Sequence, residues 1–385
     1  MGNICIRGRD YRDLTTVEIH AAGGLISEIR ALPQDDSLPI LAPGLVDLQV
    51  NGYAGVDFNR SPIAEQAVLE VTRQLWRQGV TTFLPTVITN GDEQIAGMVA
   101  AIAHARRRFA PVGQSVAGIH LEGPFISPED GPRGAHDKAF VMAPDWPLFQ
   151  RFQRAAQGDI RLLTLSPEWP QAPGFIRRCV QDAVVVSLGH TAADAQQIDA
   201  AVEAGATLST HLGNGAHLLL PRHPNYIWEQ LAQDRLWCAM IGDGEHLPAS
   251  VIKVFMRVKG ERGILVSDAT SLAGMPPGRY RLHIGGEVML SPEGRLSLAD
   301  NPGLLAGSAR SLLYGVNTLI RQGLAMRREA WDMASVRPSA LLNLPTRHGL
   351  AVGAPLDAVA LGEDRRGELS VQAVYQRGAC VWRDE

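Results

Sequence analysis

The chain has 385 residues, and its 45% hydrophobic and 20% charged content is ordinary for a globular enzyme with a large core. Its formal net charge of -4, without a basic stripe, argues against nucleic acid as a partner. No apolar run reaches the roughly 18 residues of a transmembrane helix, and no signal peptide opens the sequence. We therefore expect a cytoplasmic protein without a membrane partner, whose four scattered cysteines are buried thiols.

Both ends of the chain read as short strands bounded by turn residues. Residues 17–19 and 25–29 flank a turn-like stretch at 21–24, a pattern that is typical of a hairpin. The C-terminal strand candidates are residues 357–361, 369–375 and 380–382. Because neither end holds enough apolar residues for a core of its own, we predict one small β-sandwich domain built from residues 1–43 and 347–385.

Between the two ends, apolar runs alternate with helix-like stretches such as 63–78 and 193–204, which indicates a parallel α/β arrangement. Eight runs read as strands: 45–50, 81–85, 116–121, 160–165, 184–188, 207–210, 237–241 and 264–266. Eight parallel strands with helices between them are what a closed (β/α)8 barrel requires. We predict that residues 44–346 form such a TIM-like barrel.

Polar side chains stand at the ends of four predicted strands, where the active site of such a barrel lies. They are Glu122, His190, His211 and Asp268. A carboxylate with two imidazoles is a common shell for a catalytic divalent ion that keeps a water position open. Binding lowers the pKa of that water towards roughly 7, and Asp268 could take its proton and pass it to a leaving group. Each residue alone is more often structural, but four on one rim are hard to explain in that way.

These motifs resemble the N-acetylglucosamine-6-phosphate deacetylases of the amidohydrolase superfamily along nearly the whole chain. The motif His120-Leu121-Glu122-Gly123-Pro124-Phe125 and the following Gly134-Ala135-His136 are fairly specific to that family. The resemblance implies that Glu122, His190 and His211 bind one divalent metal ion per subunit. It makes Asp268 the general acid and base, and His136 the residue that polarises the acetyl carbonyl. His120 has the same strand parity as Glu122 and is expected inside the barrel.

Two features of the sequence indicate a single metal ion. Gln49 and Asn51 occupy the places of the His-x-His pair that binds a second metal in most amidohydrolases. No lysine follows the fourth strand, so the bridging ligand of binuclear relatives is missing. The donor set does not select the metal. Zn is the first expectation, with Fe, Mn or Co as alternatives.

The resemblance also implies a site for a small-molecule amino sugar phosphate. The substrate-binding residues it assigns are Ala135, His136, Asn214, Gly215, Arg222 and His246. Backbone amides at Asn214 and Gly215 would approach the phosphate, and Arg222 would reach the neighbouring active site of a homodimer. The chain departs from the family nearby, with Gly213 for an aromatic residue, Ala216 for Met, and residues 223–228 for a Gly-rich stretch.

The expected reaction is hydrolysis of N-acetylglucosamine-6-phosphate to glucosamine-6-phosphate and acetate. An alternative is the same amide hydrolysis on a different N-acyl amino sugar or N-acyl amine. Cyclic-amide hydrolysis is disfavoured by the missing His-x-His pair and lysine, and a non-catalytic binding barrel by the complete metal shell. The histidines without matching context, expected to be surface or structural, are His20, His104, His217, His283 and His348.

Overall fold

A computed structural model of the chain describes residues 2–282 and 286–384, so His283 lies outside the described residues. The N-terminal strands are β1 (Ile4–Asp10), β2 (Thr16–Ala22), β3 (Leu25–Ala31) and β4 (Ile40–Pro43). Strands β2 and β3 form the predicted hairpin, and β1 pairs antiparallel with β2 and parallel with β4. The chain then enters the barrel.

The eight predicted barrel strands are all present. They are β5 (Leu45–Val50) and, after a short hairpin of β6 (Gly52–Tyr53) and β7 (Val56–Asp57), β8 (Val80–Ile88), β9 (Ile119–Glu122), β10 (Ile160–Leu165), β11 (Val185–Leu188), β12 (Leu208–Ser209), β13 (Trp237–Ile241) and β14 (Gly263–Val266). They follow one another in a parallel sheet that runs from β5 to β14. A parallel bridge between Val50 and Ala269 joins the first strand to the end of the last. The predicted (β/α)8 fold is confirmed.

Helices connect most of these strands and cover the barrel. They are α1 (Glu65–Trp76), α2 (Asp92–Arg108), α3 (Ala110–Ser115), α4 (Trp146–Ala155), α5 (Ala172–Gln181), α6 (Ala195–Ala204), α7 (Tyr226–Ala232) and α8 (Ala249–Lys259), with short 3-10 turns at Lys138–Phe140 and Gly260–Arg262. Helix α6 shows how local sequence sets the bounds. Asp194 and Gln197 form a capping box at its start, and Gly205 ends it in a left-handed conformation that glycine adopts without strain.

The interior of the barrel is layered, as in other barrels of this type. One layer is apolar and includes Val46, Leu84 and Ile264. Nearer the strand ends lies a polar layer, in which His120 Nε2 is 2.8 Å from Thr164 Oγ1. Burial lowers the pKa of His120 to about 4, so this imidazole is neutral. His120 therefore faces the barrel interior, as expected.

An antiparallel sheet that the sequence analysis did not predict follows the eighth barrel strand. Its strands are β15 (Gly278–Leu282), β16 (Gly286–Leu290) and β17 (Leu296–Leu298). Three helices, α9 (Leu312–Arg321), α10 (Arg327–Met333) and α11 (Val336–Leu341), and a 3-10 turn at Pro345–His348 complete this part of the chain. The sheet has a small apolar core of its own around Val288.

The C-terminal strands β18 (Ala358–Glu363), β19 (Leu369–Gln376) and β20 (Ala379–Arg383) join β1–β4 in one seven-stranded sheet. Backbone bonds from Ile26 to Ala354 and from Gly353 to Ile26 link the β3 edge to the segment before β18. Apolar side chains from both chain ends share one core, including Ile19, Leu41 and Ala360. The two chain ends therefore form one continuous sheet. The domain boundaries predicted from the sequence, 1–43 with 347–385 and 44–346, stay a prediction.

Two further expectations concern the cysteines and membranes. Cys179 and Cys238 are buried, but Cys5 and Cys380 are exposed, so the expectation of buried thiols was wrong for these two. All four thiols are free. Within residues 2–282 and 286–384, no helix combines the length and apolar character needed to cross a membrane.

Candidate metal centre and active site

The barrel places the four predicted polar residues at one end of its strands. Glu122 is the last residue of β9, and His190, His211 and Asp268 each lie two residues beyond β11, β12 and β14. These last three have positive φ angles of 50°, 27° and 48°. A left-handed backbone is unfavourable for residues with a Cβ and persists where the surrounding structure holds it, often at functional sites. The chain therefore maintains strained backbone at three strand ends of the barrel.

One oxygen of the buried Glu122 carboxylate is the meeting point of the site. Its Oε1 lies 3.2 Å from His211 Nε2 and 3.4 Å from His190 Nε2. The Gln49 side-chain amide donates to the same atom at 2.9 Å. Both imidazoles and the carboxylate are almost fully buried. Side chains at least 68 positions from Glu122 in the chain thus converge on one of its oxygens.

The other ring nitrogen of His190 shows what this cluster is suited to bind. Its Nδ1 lies 2.8 Å from the carbonyl oxygen of Pro132, which can only accept, so Nδ1 carries the proton. In the neutral imidazole the Nε2 lone pair then faces the Glu122 oxygen, itself an acceptor. Two acceptors face each other stably only with a cation between them. The donor set therefore fits a divalent metal ion, with Pro132 fixing the ligand orientation.

The electrostatics of the cluster agree with this requirement for positive charge. Burial acts to raise the pKa of Glu122, but the neighbouring imidazoles of His190 and His211 outweigh it and hold that pKa well below its usual range. Burial acts to lower the pKa of His211, but the bond to Glu122 and its charge raise it to about 9. A proton on His211 and a metal ion are therefore competing ways to neutralise the same carboxylate.

His136 belongs to the same cluster. Its ring centre is 4.4 Å from that of His190, and its Nδ1 is 2.8 Å from Thr89 Oγ1. Burial lowers its pKa to about 3, so His136 is neutral. The donor atoms that lie mutually within 4.8 Å belong to Glu122, His136 and His190, whereas the predicted ligand set has His211 in place of His136. The identity of the third ligand stays a prediction.

The two residues that replace the His-x-His pair bind carboxylates through their amide hydrogens. Gln49 donates to Glu122, and Asn51 Nδ2 donates to Asp268 Oδ1 at 2.7 Å. Asp268 is partly exposed at the cleft, yet the loss of hydration around its carboxyl group raises its pKa. Because N–H donors, and not lone pairs, face both carboxylates, this corner lacks the imidazole ligands that a second metal ion uses.

A cleft of about 980 Å³ opens above this floor. Its wall includes Ala135, Asn214, Gly215 and His246 as predicted, but Arg222 is exposed and lies outside it. His246 Nδ1 is 2.7 Å from Asp243 Oδ2, and this bond, working against burial, lowers the pKa of Asp243. The three-stranded sheet and the segment that follows it contribute an apolar wall, formed by Leu282, Leu298, Leu304 and Leu305.

The loop after His211 depends on a glycine for its conformation. Gly215 has a φ of +57°, and a Cβ there would lie 2.8 Å from His190 Nδ1, so this position requires glycine. The Asn214 backbone N–H donates to the His211 carbonyl at 3.0 Å, so this N–H is already paired within the loop. In the described part of the chain, the N–H groups of Gly215 and Ala216 have no acceptor. Gly215 and Ala216 therefore offer backbone amides to a ligand.

Arg133 is a cleft residue that the sequence analysis missed. It stands directly before the Gly134-Ala135-His136 motif, and this adjacency was the only signal in the sequence. The apolar wall had no comparable signal, because the sheet that carries it was not predicted.

Comparison with known proteins identifies the family. The human N-acetylglucosamine-6-phosphate deacetylase is 34% identical over 355 residues, which cover 89% of this chain and 84% of the relative. The N-acetylgalactosamine-6-phosphate deacetylase of Shewanella sp. (strain ANA-3) is 35% identical over 354 residues, with 90% and 84% covered. No protein-family model matches the chain. The chain belongs to the N-acetylglucosamine-6-phosphate deacetylase family.

Solved structures of the family agree with the fold. An N-acetyl-D-glucosamine-6-phosphate deacetylase variant from Mycobacterium smegmatis, solved in complex with N-acetyl-D-glucosamine-6-phosphate, matches with a TM-score of 0.86. The match covers 99% of this chain and 100% of that one at 27% identity. The family fold therefore extends over the barrel and the small sheet together.

The cluster leads to a prediction about metal content. We expect the purified protein to bind one divalent ion per chain, and His190→Ala to weaken that binding by more than about 100-fold, beyond the loss typical for an outer-shell partner. Elemental analysis after dialysis against a weak chelator measures this. His104→Ala, at an exposed helix position, is the matched control. Two ions per wild-type chain, or normal binding in His190→Ala, would contradict the assignment.

Proposed function

We propose that this protein hydrolyses the acetyl amide of N-acetylglucosamine-6-phosphate, giving glucosamine-6-phosphate and acetate. One observation carries the proposal: Glu122, two imidazoles and Asp268 meet on the floor of a single large cleft. Membership of the deacetylase family supports the substrate class, a small amino sugar phosphate. The roles of the individual residues below are part of the proposal.

The metal ligands in this proposal are Glu122, His190 and His211. A divalent ion held by these three residues would supply Lewis acidity for the amide carbonyl and would lower the pKa of a bound water molecule. We propose Zn²⁺, since carboxylate and imidazole ligands suit it, while Fe²⁺, Mn²⁺ and Co²⁺ accept the same donors. Elemental analysis of protein purified without added metal distinguishes these ions.

Asp268 is the proton carrier. Its carboxylate takes a proton from the attacking water and later delivers it to the departing amine. A raised pKa suits a group that must do both, because it accepts the proton more readily than an ordinary aspartate. The amide of Asn51 orients Asp268 through the bond to Oδ1. Atoms balance: water adds across the C–N bond, which breaks to give acetate and the free amine.

His136 stabilises the negative charge that develops on the acetyl oxygen. When the Thr89 hydroxyl donates to Nδ1, the proton of the imidazole is on Nε2 and can be donated to the substrate. Its low pKa keeps the ring neutral, so it acts as a hydrogen-bond donor. Elsewhere in the cleft lining, the free amides of Gly215 and Ala216 suit the phosphate, and His246 suits a sugar hydroxyl.

A second candidate substrate is N-acetylgalactosamine-6-phosphate. The Shewanella relative named for that activity is 35% identical, a value similar to that of the human enzyme. The two sugars differ only at one hydroxyl, and the chemistry at the amide is the same. Parallel assays of the two epimers decide between them.

We also propose that the protein is a homodimer in which Arg222 serves the neighbouring active site. Arg222 is exposed and outside its own cleft, so it needs a second subunit to reach a substrate. Leu218 and Leu219, on the same loop, are 88% and 90% exposed, which is unusual for two adjacent leucines of a monomer. A partner subunit that covers this loop would bury them.

The first prediction of this proposal concerns the reaction. We expect metal-loaded wild type to release acetate from N-acetylglucosamine-6-phosphate, and Asp268→Asn to lower kcat about 100- to 10,000-fold, the usual contribution of a general acid or base. Metal content and fold should not change. Asp13→Asn, at an exposed turn, is the matched control. Near-normal turnover by Asp268→Asn would refute its role, and no turnover of either epimer by wild type would refute the proposed substrates.

The second prediction concerns assembly. We expect light scattering to give wild type twice the 41.6 kDa chain mass, and Leu219→Asp to give a monomer, because a buried unpaired charge opposes association. Met326→Asp, at another highly exposed apolar side chain, should leave the dimer intact. A monomeric wild type would contradict the role of Arg222.

A further inference from the structure

The cleft has an unusual charge balance for a phosphate substrate. Its lining carries the carboxylates of Asp57, Glu122 and Asp268, and a phosphate monoester brings nearly two more negative charges at pH 7, so the divalent ion proposed at Glu122 offsets only part of the total. Among the described residues that line the cleft, one is an arginine or lysine, and it is Arg133. Arg222, the cation that the family resemblance assigns to phosphate, is outside the cleft of its own subunit.

Arg133 lies next to the backbone amides that are free to bind an anion. The segment that carries it packs closely against the loop with Gly215 and Ala216. A Cβ on Gly131 would lie 3.1 Å from the Cα of His217, and one on Gly134 would lie 3.3 Å from His190. Arg133 and the two free N–H groups therefore lie on adjoining parts of the same wall.

The contacts of Arg133 leave hydrogen-bond donors unused. Its Nη1 donates to the His136 carbonyl at 2.5 Å, and its Nη2 donates to Asp130 at 2.5 Å. A guanidinium has five N–H donors, and the buried Nε has no partner in the described part of the structure. The side chain is 20% exposed, while Asp130 is 81% exposed and can move away at little cost. The guanidinium is thus held in place, and the second N–H of Nη1 and of Nη2 is the capacity that remains for an anion, since Nε is enclosed by protein.

We propose that Arg133 is a specificity residue that binds the substrate phosphate from within the same subunit. Together with the amides of Gly215 and Ala216, it would select phosphorylated over free amino sugars, independently of any residue from a partner. This inference rests on the proposed function. The bond from Arg133 to the His136 carbonyl gives the residue a second, positioning contact, and the experiment must separate the two roles.

The test compares Arg133→Gln with wild type on N-acetylglucosamine-6-phosphate and on free N-acetylglucosamine. Loss of one charge-assisted bond to phosphate should raise KM for the phosphorylated sugar about 10- to 100-fold and lower the preference for phosphorylated over free sugar by a similar factor. Inhibition by inorganic phosphate should weaken by a similar factor. Arg133→Lys should recover part of the preference, since it keeps the charge and loses the fork geometry.

Arg30→Gln is the matched control, because this arginine pairs with Glu28 on the small domain. Equal losses on both sugars in Arg133→Gln would overturn the inference and leave Arg133 as a positioning residue for His136. An unchanged KM and unchanged phosphate inhibition would also overturn it. Both outcomes leave wild-type deacetylation intact, whereas inactivity of wild type on both sugars is a failure of the proposed function itself.

Discussion

The Glu122 carboxylate oxygen is the point on which the candidate site depends. Gln49, His190 and His211 all approach it, each from a different strand of the barrel. A buried carboxylate among neutral imidazoles is costly unless a positive charge is supplied. That charge can come either from a proton on His211 or from a cation bound between the donors. The chemistry of the site follows from which of these occupies the cluster.

The barrel makes this convergence possible. Strands β9, β11 and β12 end at the same rim, so residues far apart in sequence meet there. Below them, His120 and Thr164 form a polar layer that closes the barrel interior beneath the site. The positive φ angles at His190, His211 and Asp268 place unfavourable backbone at the rim, and the packed core below must hold it. The packing of the barrel core thus stabilises the unfavourable backbone conformations at the site.

The barrel and its rim could be read from the sequence because each has a strong signal. Strands buried on both faces read as continuous apolar runs, and 160–165 and 237–241 were placed without error at either end. The third sheet has no such signal. Its β15 alternates between half-buried and exposed residues and packs on a small core, so it resembles a loop in sequence.

The site shows the same division. Glu122, His190 and His211 are of residue types that commonly bind metal ions, so the sequence alone indicates them as site candidates. The structure brings them together. The sequence does not indicate Arg133 in the same way, because an arginine beside a motif is usually a surface residue. Only the packing of Gly131 against His217 places it on the cleft wall. The sequence also could not indicate that the Asn214 backbone N–H is already hydrogen-bonded, since backbone hydrogen bonding in a loop depends on conformation rather than residue type.

X-ray absorption spectroscopy of the metal-loaded protein tests the central claim most directly. With Glu122, His190 and His211 as ligands, the spectrum should show two imidazoles and one carboxylate at about 2.0–2.2 Å, without a metal–metal path near 3.5–4 Å. Replacing His211 with Ala should remove one imidazole, and replacing His136 should remove none. An imidazole lost in His136→Ala but kept in His211→Ala would contradict the account, as would a metal–metal path in wild type.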